Sequence, residues 1–419
     1  MNTPSTNSAG LSTLDSICRV MDSPQRPLDF TLVLQLKQAP DVEALKAGAK
    51  SARNLYATTG SYIDGKHWVR FAEPEVGVRA VEADSNAMIA AASEAFVDGP
   101  FDPCRQVPVQ QLLIVDGTGG KAKLLTRFHH AAADYMSALM WLRHQLGVAA
   151  GDQAPTTAVA PFQELPLRQH PAPIKKSPFA YRGPTQRLRS QGARPSRARR
   201  WHSIEVPAAE LRSRSSKLDG FTYNDLLTTC ALEAFVHWNQ AGHSGRGRKV
   251  GLLMPINIRQ RPFEGFGNGA SRIRIYARYA DDARLLDKCR QTRRQVAWCK
   301  EHGEWAVPPS HPLIRLPAWA GSPLLRCYLK RPWVDVATGV FSHAERWDGQ
   351  DDELFQNVEK IEFIGQLHER HAVVLNAATL RDQTWLTFTC DPALLSSAEL
   401  QNLIAIYQEQ IALAQRELQ

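Results

Sequence analysis

The segment Arg127-Phe128-His129-His130-Ala131-Ala132-Ala133-Asp134-Tyr135 decides the reading of this chain. It follows the apolar pair Leu124-Leu125 and opens a run in which Met136, Leu139, Met140 and Leu146 recur at the helical period. The pattern predicts a strand, a tight connection and a helix, with both histidines at the exit of the strand. Adjacent strand residues point to opposite sides. His129 and His130 are therefore expected to do different work, one facing a cleft and the other packed behind it. An imidazole, with an ordinary pKa of about 6.5, can take a proton from a hydroxyl or amine near neutral pH. The Asp134 carboxylate is spaced to hold the turn rigid without sharing that proton.

Working outward, 419 residues suffice for one large domain or two ordinary ones. Hydrophobic content of 43% and charged content of 22% leave ample material for a core. No run approaches the roughly 18 uncharged apolar residues of a spanning helix. The polar start, 1–10, has neither the basic opening nor the apolar centre of an export signal. A cytoplasmic protein with at most peripheral membrane contact is expected. The seven cysteines are scattered with no CxxC or CxxH cluster, which predicts neither a disulfide framework nor a zinc site. His129 and His130 lack a third ligand at suitable spacing, so no metal is expected. A net charge of +8 and a pI of about 9.2 suit an anionic partner. Much of the charge crowds a proline-rich stretch with no interleaved aromatics to stack bases, so nucleic acid is not expected. Coenzyme A, an acidic carrier protein and an anionic membrane surface remain candidates.

Taken in order, the chain predicts a helix over 42–52 and a hairpin of strands near 61–63 and 68–71 across Asp64-Gly65. An alanine-rich helix over 86–98 ends at Gly99-Pro100. Strands over 107–115 and 121–128 face each other across the glycine-rich turn 116–120. Residues 150–201 differ in kind: prolines interrupt any regular element and arginines crowd the second half, as in a crossover linker. A docking arm for something anionic is the other reading of that stretch. Beyond it, Thr222 and Asp225 form a capping-box pattern opening a helix. An apolar strand runs from 250 to Arg259, which is the most economical bidentate partner for Asp134, with Arg272 and Arg274 as competitors. The strand 270–279 alternates basic and apolar residues, as a half-exposed strand does. A charged helix over 281–300, a mixed stretch over 313–329, a closing strand pair and a final helix over 397–416 complete the pattern.

H-H-A-A-A-D-Y resembles the HHxxxDG motif of the acyltransferase superfamily that includes chloramphenicol acetyltransferase, nonribosomal peptide condensation domains and the wax ester synthase/diacylglycerol acyltransferase group. The wax ester synthase group is the nearest in pattern. Leu11-Ser12-Thr13-Leu14-Asp15, Asn224-Asp225, Pro255 to Arg259, Gly267-Asn268 and the closing strands and helix resemble its signals, in its order. Three departures stand out. Pro108-Val109-Gln110-Gln111 replaces a P-L-W-E stretch, His343 follows Ser342 where asparagine is usual, and Tyr135 replaces the motif's glycine.

The resemblance implies an α/β fold of two chloramphenicol acetyltransferase-like lobes, 1–150 and 201–419, joined by the linker 151–200. The lobes would form a V around a central channel open at both ends, and the strand after Gly265 to Gly269 would cross between them. It implies direct acyl transfer, without a covalent enzyme intermediate, to a small hydroxyl or amine acceptor. No cofactor would be bound. The donor would be an acyl-CoA or acyl-carrier-protein thioester as co-substrate, which makes an acidic carrier protein a candidate partner. His130 would be the general base, His129 an orienting residue and Asp134 structural. Tyr135, Asn257, Arg259, Asn268, Ser342 and His343 would line the channel. Tyr135 would either narrow the channel or turn away into the neighbouring lobe. The alternative is a catalytically silent binding or scaffold relative of the same fold.

Overall fold

The computed structural model describes residues 8–23, 26–73, 77–117, 120–153, 159, 177–181, 185–188, 195–215, 220–241, 249–259, 265–278, 282–305, 316, 320–321, 323–324, 327, 337–344, 356–367 and 371–419. From the N-terminus come β1 (Ser8–Gly10), α1 (Thr13–Met21), β2 (Asp29–Leu36), α2 (Val42–Leu55), β3 (Ser61–Asp64), β4 (His67–Arg70), β5 (Val78–Ala83), α3 (Asn86–Val97), β6 (Val109–Asp116), β7 (Ala122–His129) and α4 (Tyr135–Ala149). The second half adds β8 (Arg200–Val206), α5 (Ala208–Ser215), α6 (Tyr223–Gln240), β9 (Lys249–Asn257), β10 (Ala270–Arg278) and α7 (Leu285–Glu301). It closes with β11 (Gly339–His343), β12 (Val358–Ile364), β13 (Val373–Leu380), β14 (Gln383–Cys390) and α8 (Ser397–Glu417). Most of the linker 151–200 and of the mixed stretch 313–329 lies outside the described residues.

Two large sheets carry the architecture. One is five-stranded in the order β12-β2-β7-β6-β5, the other six-stranded in the order β10-β9-β11-β13-β14-β8. The strand carrying the histidines is central in the first sheet and covered on both faces. Leu124 and Phe128 pack towards α2 and α4, where Trp141 meets the Phe128 ring edge-on at 5.7 Å. Leu125 packs on the other side with Val33, Phe96 and Val97. Each fully buried side chain of this size stabilises by roughly 1.5–3 kcal/mol, so a strand covered on both faces is held firmly where it ends. In the second sheet Leu252, Ile273, Phe341 and Leu375 share a core with residues of α6, α7 and α8. At the start of α6, the Thr222 hydroxyl accepts from the Asp225 N–H and the Asp225 carboxylate accepts from the Thr222 N–H, the expected capping box.

The strand that crosses between the halves differs from the expectation. β10, which follows Gly269, pairs antiparallel with β9 in its own sheet, from Ala270 opposite Asn257 to Arg278 opposite Lys249. The crossing is made by β12, which comes late in the chain yet pairs with β2, setting Ile361 opposite Leu34 and Phe363 opposite Leu32. The difference is one of pairing: β10 continues the antiparallel register of its sequence neighbour, whereas β12 is apolar enough to be buried as the edge of the first sheet, with Val358, Ile361 and Phe363 in that sheet's core. Ion pairs reinforce the seam. Asp29 on β2 is fully buried between Arg127 and Arg199, the latter at 2.7 Å. Asp391 is paired with Arg26 and accepts from the Ser196 N–H and hydroxyl at 2.8 and 2.6 Å.

Candidate active site

β7 ends in a turn tied down from three sides. The His129 N–H donates to the Pro108 carbonyl at 2.9 Å, the His130 N–H to the Leu28 carbonyl at 2.8 Å, and the Ala132 N–H to the His129 carbonyl at 2.9 Å. The two imidazoles diverge as the strand period demands. His129 is fully buried. Its Nδ1 accepts from the Ala131 N–H at 3.2 Å and its Nε2 stands 3.6 Å from the Asp22 carboxylate. His130 lines a cavity of about 200 Å³ and sets its ring edge-on to Phe30 at 5.4 Å. Its Nδ1 is buried without a hydrogen bond to another described residue. Burial lowers the His130 pKa below the ordinary histidine value, and the nearby Asp134 carboxylate only partly opposes this. The imidazole is therefore neutral at neutral pH.

Asp134 has its lone pairs committed elsewhere. As the N-cap of α4 it accepts from the Ser137 N–H at 2.9 Å. Arg259 grips it at two points, Nη1 to Oδ2 at 2.6 Å and Nη2 to Oδ1 at 3.1 Å, and the Gly269 N–H adds a third at 2.9 Å. Arg259 Nη2 also reaches the Ser137 hydroxyl at 2.9 Å and the Gly267 carbonyl at 2.8 Å. The turn must be glycine at 269, because a Cβ there would lie 2.5 Å from Arg259 Nη1. Asp134 and Arg259 thus form a buried strut between the histidine loop and the turn joining β9 to β10. The expected pairing with Arg259 is present.

The floor of the cavity follows from strand register. Arg274 lies opposite Leu253, Leu253 beside Val340, and Val340 beside Val374, one row across four strands. Two residues along, Arg272 lies opposite Pro255 and Ser342 beside Asn376. All eight side chains line the His130 cavity, while the intervening Ile273, Phe341 and Leu375 face the core behind. A second cavity of about 480 Å³ adjoins, and Asp134, Tyr135, Pro255, Ala270 and Ser342 border both. Tyr135, the first residue of α4, stands at this boundary with its ring 4.9 Å from that of Phe363. Burial raises its phenol pKa.

The residues expected to line a channel divide into three groups. Tyr135 and Ser342 border both cavities. Asn257 and His343 line only the second. There, His343 Nε2 is 3.1 Å from the Thr379 hydroxyl, and burial, aided by the Arg212 charge, lowers its pKa to about 4. Arg259 and Asn268 line neither. Arg259 is saturated by the strut, and Asn268 turns its amide to Cys18 Sγ at 3.2 Å. The reading of the residues did not single out Arg272, Arg274 and Asn376 as lining residues. The Arg-Ile-Arg-Ile alternation at 272–275 was the signal that one face of β10 is wet.

No family model matches the chain, and no curated protein matches it. Solved structures do. The first condensation domain of the calcium-dependent antibiotic synthetase, in complex with a substrate analogue, aligns at a TM-score of 0.72 and 13% identity, covering 98% of this chain and 97% of that one. The starter condensation domain of rhizomide synthetase, a mutant in complex with C8-CoA and Leu-SNAC, aligns at 0.70 and 12%, covering 98% and 95%. A trichothecene 15-O-acetyltransferase from Fusarium sporotrichioides aligns at 0.68 and 11%, covering 99% and 97%. At such identities the likeness is one of fold: the chain has the two-lobed α/β fold shared by condensation domains and acetyltransferases.

Proposed function

We propose that this protein is an acyltransferase that moves an acyl group from a thioester directly to a hydroxyl or amine acceptor, with His130 as general base. One observation carries the reading. His130 lines a cavity between the two sheets with its pKa lowered by burial, and the carboxylate that acts on it, Asp134, is occupied by Arg259 and backbone N–H groups. Such a histidine can accept a substrate proton, and Asp134, already occupied, does not compete for it. The structural likeness to condensation domains and an O-acetyltransferase supports the reaction class.

The acceptor would give its proton to His130 as its oxygen or nitrogen attacks the thioester carbonyl carbon. The carbonyl π pair moves to oxygen, forming a tetrahedral oxyanion. Collapse re-forms the carbonyl, breaks the carbon–sulfur bond and expels the thiolate, which takes the proton back from His130. The histidine ends as it began. A base so placed contributes about 10²–10⁴-fold. In this reading His129 orients the turn, Asp134 is structural, and Tyr135 limits how far a substrate arm passes from one cavity to the other.

The test is incubation with a panel of acyl-CoA and acyl-carrier thioesters plus mixed alcohols and amines, following thiol release together with the mass of the acylated product. Thiol release matched by product supports transfer and ranks the donors. Absence of release from every donor favours the catalytically silent reading.

A further inference from the structure

Among the described residues lining the His130 cavity, arginines outnumber carboxylates. Arg259 is paired with Asp134, but Arg272 has no ion pair with a carboxylate among the described residues. Register sends Arg272 and Arg274 to the cavity face of β10 while Ile273 and Ile275 enter the core, so neither guanidinium faces the bulk surface by accident of a loop. Arg272 is solvent-exposed and lines the cavity. The surrounding protein and the like charge of Arg274 lower its pKa, and the Cys18 thiol partly opposes this. The rest of the wall is largely apolar, with Leu28, Phe30, Val340 and Phe363. A guanidinium that opens into a cavity and has no carboxylate paired to it among the described residues is free to receive an anion there. A planar guanidinium matches a carboxylate at two points. A largely apolar wall with the Arg272 guanidinium open to it fits a molecule with an apolar body and a carboxylate.

We propose that the substrate group entering this cavity carries a carboxylate received by Arg272. This rests on the acyl-transfer reading and deepens it: either the acceptor is a hydroxy or amino acid, or the transferred acyl group ends in a carboxylate. Arg272 would determine specificity and would take no part in proton transfer.

The test measures binding, which needs no turnover. Dissociation constants are taken by calorimetry for matched pairs: benzoate against benzamide, hydroxy and amino acids against their primary amides, and succinyl-CoA against butyryl-CoA. The wild type is expected to prefer the carboxylate member of at least one pair by about tenfold to a hundredfold. Arg272→Gln abolishes that preference without lowering the melting temperature, and Arg272→Lys restores part of it. A preference confined to the acid–amide pairs assigns the carboxylate to the acceptor, and one confined to the CoA pair assigns it to the acyl group. No preference in the wild type, or a preference that survives in Arg272→Gln, overturns the proposal. Arg272-dependent carboxylate binding without thiol release from any donor leaves the anion site standing and removes the acyl-transfer reading. Thiol release without carboxylate preference does the reverse.

Discussion

Arg259 and Arg272 flank the same glycine-rich turn and end in opposite conditions. Arg259 is gripped by Asp134, the Ser137 hydroxyl and the Gly267 carbonyl, and lines neither cavity beside His130. Arg272 faces the cavity with no carboxylate paired to it among the described residues. The difference teaches how to sort charged residues in this seam. A charge whose hydrogen-bonding capacity is met inside the protein holds the architecture, and one left open in a cavity is available to a ligand. A related division separates His129, fully buried with its Nδ1 accepting from the Ala131 N–H, from His130, which lines the cavity.

The sharpest way to break this comparison is to remove each arginine. Arg259→Met leaves Asp134 buried without its cation and should cost about 3–5 kcal/mol of stability in urea unfolding. Arg272→Met should change stability by no more than about 0.5 kcal/mol, as a residue away from core packing and buried pairs does. Equal losses in the two variants would erase the distinction. A smaller effect is expected from Asp134→Asn, which keeps an acceptor for the Ser137 N–H but removes the charge. The Asp134 carboxylate favours protonated His130, so its loss should move the acid limb of the pH–rate profile to lower pH. A limb that stayed in place would show that the carboxylate does not reach the imidazole.

Tyr135→Gly sharpens the comparison of the two cavities. It should relax the preference for acyl-chain or acceptor length at a stability cost of about 1 kcal/mol, the usual penalty for glycine in a helix. Unchanged length preference would remove Tyr135 as the divider. A further effect concerns pH. Burial lowers the pKa of His130 and takes that of His343 down to about 4. Between the ordinary histidine value and those lowered values the unfolded chain binds protons that the folded chain does not. Stability should therefore fall as pH drops from about 6.5 towards 4, and His343→Gln should flatten that slope in thermal melts.

Much of the site was legible because it depends on local rules. The two-residue period of a strand separates His129 from His130, and the geometry of a bidentate guanidinium singles out Arg259 for Asp134. What was not legible depends on pairing between distant segments. Nothing in Val358–Ile364 says which sheet it joins; that is decided by β2, far away in the chain. Arg272 reads as one of several candidates for Asp134 until the register of β10, β9, β11 and β13 brings it into one floor with Ser342 and Asn376. Asn268 and Arg259 share the turn's sequence neighbourhood with channel residues, but side-chain saturation takes both out of the channel.

The most direct measurement is the rate of thiol release from the best donor and acceptor mixture by wild type and by His130→Ala, both with verified melting temperatures, over pH 5 to 8. The account predicts that the wild-type rate holds at neutral pH and declines only below the ordinary histidine range. The variant should lose about 10²–10⁴-fold of the rate while melting as the wild type does. Equal release by the two well-folded proteins would contradict His130 as the base and with it the central claim.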